Sequence, residues 1–367
     1  MRRRALLGLL LSTIALAAAF PAWKHLGVRA AIGDQTATKP EAVRPEVDRL
    51  DPALDALLLP APKLIELSSG FKWTEGPVWL PTGHLLFAEI PSNSIREWTP
   101  SDGVSIFMQP SGYRGSTPYC GPEPGSNGMT LDSKGRLTVA GHAQRDVWRL
   151  ETLNPHGQVT VLADTYQGKR LNSPNDLVYR SDGSLYFTDP PYGLCTQNEK
   201  DPAKELPFAG VYRTAGALSQ KPGSPPDRAA LQLLVRDLPR PNGIAFSPDE
   251  KYLYVNNTEP EMLWMRYTVN ADGSLKDPKL FFDAGPIGHN GAPDGMKVDV
   301  QGDIYSAGPG GVFIFSPEGK HLGTIRFPKP VGNLTFGGPD GKTLYITASD
   351  KVYSLEVKVS GIYPHIH

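Results

Sequence analysis

From Lys63 onward, the apolar residues fall in short β-rich runs separated by polar turns, with no long amphipathic helical pattern. Six segments begin alike. They are Glu75-Gly76-Pro77-Val78-Trp79, Asn127-Gly128-Met129-Thr130-Leu131, Asn175-Asp176-Leu177-Val178-Tyr179, Asn242-Gly243-Ile244-Ala245-Phe246, Asp294-Gly295-Met296-Lys297-Val298 and Gly332-Asn333-Leu334-Thr335-Phe336. Each passes through a turn, such as Ser181-Asp182-Gly183, into a second apolar strand, such as Leu185-Tyr186-Phe187 or Tyr252-Leu253-Tyr254-Val255. Third strands follow in several units, for example Asp146-Val147-Trp148-Arg149-Leu150.

A unit of roughly 40 to 65 residues, built of strands and turns and met six times, predicts an all-β chain folded as a six-bladed β-propeller. The strand Lys63-Leu64-Ile65-Glu66-Leu67 is expected to pair with residues 351–357 and close the ring, which removes an open sheet edge. The spacing between Asn175 and Asn242 exceeds the others, and the excess at 197–206 and 219–228 reads as surface insertions. The propeller is expected over 61–360, after a segment at 23–60 that reads as a linker or a wrapped N-terminal extension.

Blades surround an axis, so a register shared by every unit points at one place. That place gathers Glu75, Asn127, Asn175, Asn242 and Asp294. Asn-Gly and Asp-Gly are common turn pairs, and any one of these segments alone reads as a turn. Five in one register, with Glu75-Gly76-Pro77 among them, read as a central polar site. Two carboxylates with amide oxygens suit a hard cation, calcium first, at an axial divalent-metal site. Glu75 and Asp294 supply the charge, and Asn175 and Asn242 the neutral oxygens. No His or Cys shares the register, which disfavours zinc by ligand type and leaves magnesium and manganese as alternatives.

Composition narrows the partners. The 367 residues carry a net charge of −1, which gives no sign of nucleic acid or an anionic membrane surface. Arg2-Arg3-Arg4 precedes an apolar run ending in Ala17-Ala18-Ala19, so 1–22 reads as a signal peptide or an uncleaved N-terminal anchor, and the protein as exported, periplasmic or secreted. Two cysteines, Cys120 and Cys195, exclude a structural zinc site of cysteine type, and whether they pair stays open. His142 follows a second strand and is a candidate for the pocket mouth. His289, on a glycine-rich loop before Asp294, is a candidate substrate contact. Asp189 reads first as a turn-initiating aspartate. No Gly-x-Ser-x-Gly elbow is present, against a serine hydrolase of that kind.

With these residues in place, the chain resembles the gluconolactonase, SMP-30 (regucalcin) and luciferin-regenerating enzyme family across residues 63–357. The carriers are Glu75-Gly76-Pro77-Val78-Trp79, Ser173-Pro174-Asn175-Asp176-Leu177, Pro241-Asn242-Gly243-Ile244-Ala245-Phe246-Ser247-Pro248-Asp249 and Pro293-Asp294-Gly295-Met296. Phe187-Thr188-Asp189-Pro190-Pro191-Tyr192-Gly193 adds to the likeness with bacterial gluconolactonases. The resemblance implies a metal-dependent hydrolase of sugar lactones, with D-glucono-1,5-lactone first among them. It implies Glu75, Asn175, Asn242 and Asp294 as metal ligands, Asp294 also as general base, Asn175 toward metal or substrate, and Asn127 toward substrate or a metal-bound water; His142 and His289 join the substrate candidates from their positions alone. One divalent cation is implied, with calcium ahead of magnesium, manganese or zinc. The segment Ala140-Gly141-His142-Ala143-Gln144-Arg145 departs from the Cys-x-His-Gly-x-Arg of many bacterial relatives. Two rival readings remain at this level. One is a lactonase or organophosphate hydrolase of broader range. The other is a binding propeller whose cation is structural. No obligate protein partner is indicated.

Overall fold

The computed structural model describes residues 42–288 and 290–362. They form six blades of antiparallel strands, each running outward from an axis. Blade 1 consists of Thr74–Trp79, Leu85–Glu89, Ser94–Thr99 and Gly103–Met108. Blade 2 consists of Met129–Leu131, Leu137–Gly141, Asp146–Leu150 and Val159–Ala163. Blade 3 consists of Leu177–Tyr179, Leu185–Asp189, Gly210–Thr214 and Leu231–Val235. Blade 4 consists of Pro241–Phe246, Tyr252–Asn257, Leu263–Val269 and Leu275–Asp283. Blade 5 consists of Met296–Val298, Ile304–Gly308, Gly311–Phe315 and His321–Arg326.

Blade 6 is shared between distant parts of the chain. Asn333–Gly337, Thr343–Ala348 and Lys351–Glu356 are joined by Leu64–Ser69, with Ile65 opposite Ser354 and Glu66 opposite Tyr353. This is the pairing expected from the sequence. The innermost strands contact one another in order around the ring, and the blade 6 strand meets that of blade 1. Closure therefore leaves no blade face exposed at a gap.

The stability of this ring comes from apolar packing between blades. Trp148, Leu131, Val139 and Leu86 share one buried cluster between blades 1 and 2. Trp264 stacks on Phe313 at 5.8 Å between blades 4 and 5, and its indole N–H donates to Ser306 Oγ at 2.9 Å. Trp79 stacks on Tyr345 at 4.8 Å where blade 6 meets blade 1. Alternation along each strand places one face of every blade in such a layer.

Part of the segment read as linker or extension packs on the propeller. Ala42–Val43 adds an edge strand to blade 6 and Val47–Arg49 one to blade 5. A short 3-10 turn, Pro52–Ala56, is capped by Asp51, and Leu54, Leu57 and Leu58 are buried beneath it. The insertion at 197–206 is not wholly superficial. Leu206 and Asp201 are buried, and Arg145 donates from Nη1 to Ala203 O at 2.9 Å. Cys120 and Cys195 form a disulfide with Cα atoms 5.2 Å apart. It ties the loop between blades 1 and 2 to the loop within blade 3.

Candidate active site

The repeated polar-glycine pair builds two layers at the axis. The first position of each pair forms an upper ring of Glu75, Asn127, Asn175, Asn242 and Asp294, all buried or nearly so. In the sixth blade the register falls on Gly332, and a Cβ there would come 2.5 Å from Glu75 Oε1. The missing side chain makes room for the Glu75 carboxyl. The second position forms a lower ring that is glycine in four blades. Blades 3 and 6 instead place Asp176 and Asn333 there. A Cβ on Gly128 would come 2.5 Å from Asn175 O and 2.8 Å from Asp176 Oδ1. These glycines are therefore set by the close approach of the next blade, and the reading of single pairs as turns does not hold.

Side chains from the second strands pin the ring. Thr188 Oγ1 donates to Asn242 O at 2.8 Å, and Asn256 Nδ2 donates to Asp294 O at 2.5 Å. Thr347 Oγ1 donates to Asn333 O at 3.1 Å. Buried Asp189 accepts from the backbone N–H groups of Asn172 and Ser173, both at 2.8 Å, which fixes the approach to Asn175. Asp189 thus anchors the loop and does not initiate a turn.

The upper ring floors a cavity of 300 Å³. Its walls include Trp73, Glu123, Tyr192, Thr258 and Glu259. A second cavity of 270 Å³ lies at the opposite end of the axis, lined by apolar residues such as Trp79, Met129, Ile244 and Phe336. It holds none of the upper ring.

Charge is the distinctive property of the floor. Burial pushes the Glu75 carboxyl upward from its ordinary range, and the charge of Asp176 adds to the rise. Asp294 is pushed well up by burial, then by Glu75 and Asp176. Asp176 is raised by burial and relieved in part by Lys297, whose Nζ lies 3.9 Å from Asp176 Oδ2. Ionised together, the three carboxyls against one ammonium would leave two negative charges uncompensated, a costly arrangement without a counter-ion.

The oxygens point the same way. Among the described residues, Oδ1 of Asn127 and Oδ1 of Asn242 are buried without a hydrogen-bond donor. Asn242 Nδ2 is occupied by Thr258 Oγ1 at 3.1 Å, leaving that oxygen toward the ring. Two carboxylates and unpartnered amide oxygens form a hard donor set that fits a divalent cation. Among the described residues, no three His, Cys, Asp or Glu side chains gather as a metal cluster, so the amides are essential to the set.

Glu75, Asn127, Asn175, Asn242 and Asp294 are thus brought together. His142 is not on the cavity wall. It is fully buried, with Nδ1 at 3.1 Å from Pro174 O and Nε2 at 2.8 Å from Glu123 Oε2. Glu123 stands between it and the cavity. His289 lies outside the described residues. Sequence reasoning passed over Glu123, Tyr192, Thr258, Asp176 and Lys297. Asp176 alone carried a visible signal, as the break in the polar-glycine pattern.

Comparison with known proteins agrees with this architecture. Residues 73–350 match the model of the SMP-30/Gluconolactonase/LRE-like region. A gluconolactonase of Zymomonas mobilis is 39% identical over 330 residues, spanning 86% of this chain and 87% of that protein. The solved structure of a gluconolactonase from Xanthomonas campestris is 30% identical with a TM-score of 0.70, covering 88% of this chain and 99% of that one. The calcium-binding protein regucalcin from Agrobacterium tumefaciens shares the fold at 19% identity, with a TM-score of 0.62 and coverage of 82% and 96%.

Proposed function

The chain belongs to the SMP-30/gluconolactonase/LRE-like family, and from that premise we propose that it hydrolyses D-glucono-1,5-lactone with the help of a divalent cation. It is a lactone-hydrolysing enzyme, and its substrates are sugar lactones. The observation that carries the reading is the convergence of Glu75, Asp294 and the unpartnered Asn242 oxygen at the floor of a sugar-sized cavity. Glu75, Asn175, Asn242 and Asp294 would hold the cation. Its oxygen-only donors favour calcium over zinc, with magnesium and manganese as alternatives. When bound, the cation supplies Lewis-acid polarisation of the carbonyl and charge for the developing oxyanion.

The remaining chemistry belongs to the chain. Asp294 takes the proton from the water that attacks the lactone carbonyl carbon. Burial raises its proton affinity, and a bound cation would lower it toward the ionised form that a base needs. Asn127 and Asn175 line the cavity, where they would meet the ring hydroxyls of a bound lactone. Trp73 and Ile90 on the wall exclude water from one side.

We also infer export. The basic and then apolar residues of 1–22 support it, although they lie outside the described residues, and the Cys120–Cys195 bridge suits an oxidising compartment.

Proton release from D-glucono-1,5-lactone in weak buffer tests the function. Wild type should exceed the spontaneous rate, and Asp294→Ala should not. Wild type at the spontaneous rate would overturn the reading.

A further inference from the structure

We propose that Glu123 is a second catalytic carboxyl, one that delivers a proton to the leaving ring oxygen, and that His142 is the positioning residue behind it. The inference rests on the lactonase reading above and adds a residue and a step to it.

The argument begins with the imidazole. Pro174 O is a carbonyl and only accepts, so His142 Nδ1, 3.1 Å away, carries a hydrogen. In a neutral ring Nε2 is then an acceptor. Yet Nε2 lies 2.8 Å from Glu123 Oε2, an atom that accepts when ionised. A bond at that distance needs one more proton, carried on either Nε2 or Oε2. In both cases the pair holds a proton at the cavity wall. His142 is fully buried, while the Glu123 side chain is 23% exposed, so transfer to a bound molecule runs through the carboxyl.

The surroundings fix the pair. A Cβ on Gly193 would come 2.8 Å from His142 Cδ2 and 2.7 Å from Ser173 Cβ, which shows how closely the ring is packed. Glu123 sits three residues after Cys120, whose disulfide ties its loop to Cys195. Tyr119, beside that cysteine, donates from its hydroxyl to Gly193 O. These links restrain the irregular loop that carries the carboxyl.

The division of labour follows from the partners. Asp294 has Asn242 and other carboxylates around it. Glu123 has the imidazole. It also lies close enough for its charge to push Glu75 and Asp294 upward. In the step proposed, the water oxygen bonds to the carbonyl carbon and its proton goes to Asp294. The bond from that carbon to the ring oxygen then breaks, and its electron pair goes to the ring oxygen. The proton of the Glu123–His142 pair passes to that oxygen. Solvent returns a proton to the pair and removes one from Asp294, so the net change is lactone plus water to hydroxy acid.

The test compares wild type, Glu123→Gln and His142→Gln on D-glucono-1,5-lactone and on dihydrocoumarin, whose phenolate leaves without protonation. Glu123→Gln should lower kcat on the sugar lactone by about 100-fold with KM little changed, and lower it on the aryl lactone by less than about 3-fold. His142→Gln should show the same selectivity with a smaller loss. Equal loss on both substrates, a rise in KM alone, or no loss would each overturn the role of Glu123 while wild-type turnover leaves the lactonase reading intact. Wild type inactive on both lactones would instead overturn the lactonase reading, and this proposal with it.

Discussion

Asn242 Nδ2 donates to Thr258 Oγ1 at 3.1 Å, and this bond determines which end of the amide faces the axis. Thr258 Oγ1 in turn donates to Pro293 O at 2.9 Å, one residue before Asp294. A single hydroxyl thus orients one candidate ligand and braces the strand entry to another.

Thr258→Val should therefore weaken divalent-cation binding by roughly 10- to 100-fold, the range usual for partners that orient a ligand. Calorimetric titration of the chelator-stripped variant measures it. An affinity equal to wild type would remove Thr258 from the account.

Gly128→Ala tests the two-layer ring. The added methyl would meet Asn175 O at 2.5 Å and Asp176 Cα at 2.8 Å, both on the neighbouring blade. The backbone cannot yield cheaply there, and the variant should lose about 1–3 kcal/mol of stability. Denaturant midpoints should show the loss, whereas a turn role for Asn127-Gly128 would leave them nearly unchanged.

The raised carboxyls give a pH dependence with a definite sign. Glu75 and Asp294 bind protons more tightly in the folded protein than in the unfolded chain. Their contribution to stability is full below the ordinary values, 4.5 for Glu75 and 3.8 for Asp294, and is lost as pH rises through the raised folded values. Melting temperatures of stripped protein should fall as pH rises from the ordinary carboxylate range to about 8 through Glu75, with Asp294 acting in the same direction, and saturating calcium should flatten the fall. An identical profile with and without cation would contradict the placement of the ion.

Loss of the disulfide should act on both stability and turnover. The bridge spans 75 residues of sequence and fixes the loop bearing Glu123. Cys120→Ser with Cys195→Ser should cost about 2–4 kcal/mol. Guanidinium unfolding of the double variant against wild type checks this, and unchanged midpoints would show that the bridge adds nothing.

The sequence made the ring legible because its period is imposed by geometry. Six strands that meet at one axis must repeat their register, so Glu75, Asn127, Asn175, Asn242 and Asp294 stood out together. Closure by residues 64–69 was readable from strand pattern and position. The mouth was less legible, since it is built from loops without a period. Glu123 lies in an irregular stretch between blades 1 and 2, where no spacing constrains it. His142 is legible as a candidate, but which side of Glu123 it occupies depends on a fold of the chain near Pro174. Cysteine pairing was undecided because it depends on a distance, 5.2 Å between Cα atoms, set by two loops from different blades. The sequence leaves 42–58 open between a linker and a wrapped extension, because its short, exposed strands pattern like linker.

The most direct measurement is hydrolysis of D-glucono-1,5-lactone by chelator-stripped protein, before and after adding calcium, magnesium, manganese or zinc, in wild type and in Glu75→Gln. The account predicts a stripped wild type near the spontaneous rate, recovery on adding an oxygen-preferring cation, and little recovery in the variant. Full activity in the stripped protein, or equal recovery in Glu75→Gln, would contradict a cation held by Glu75 and Asp294.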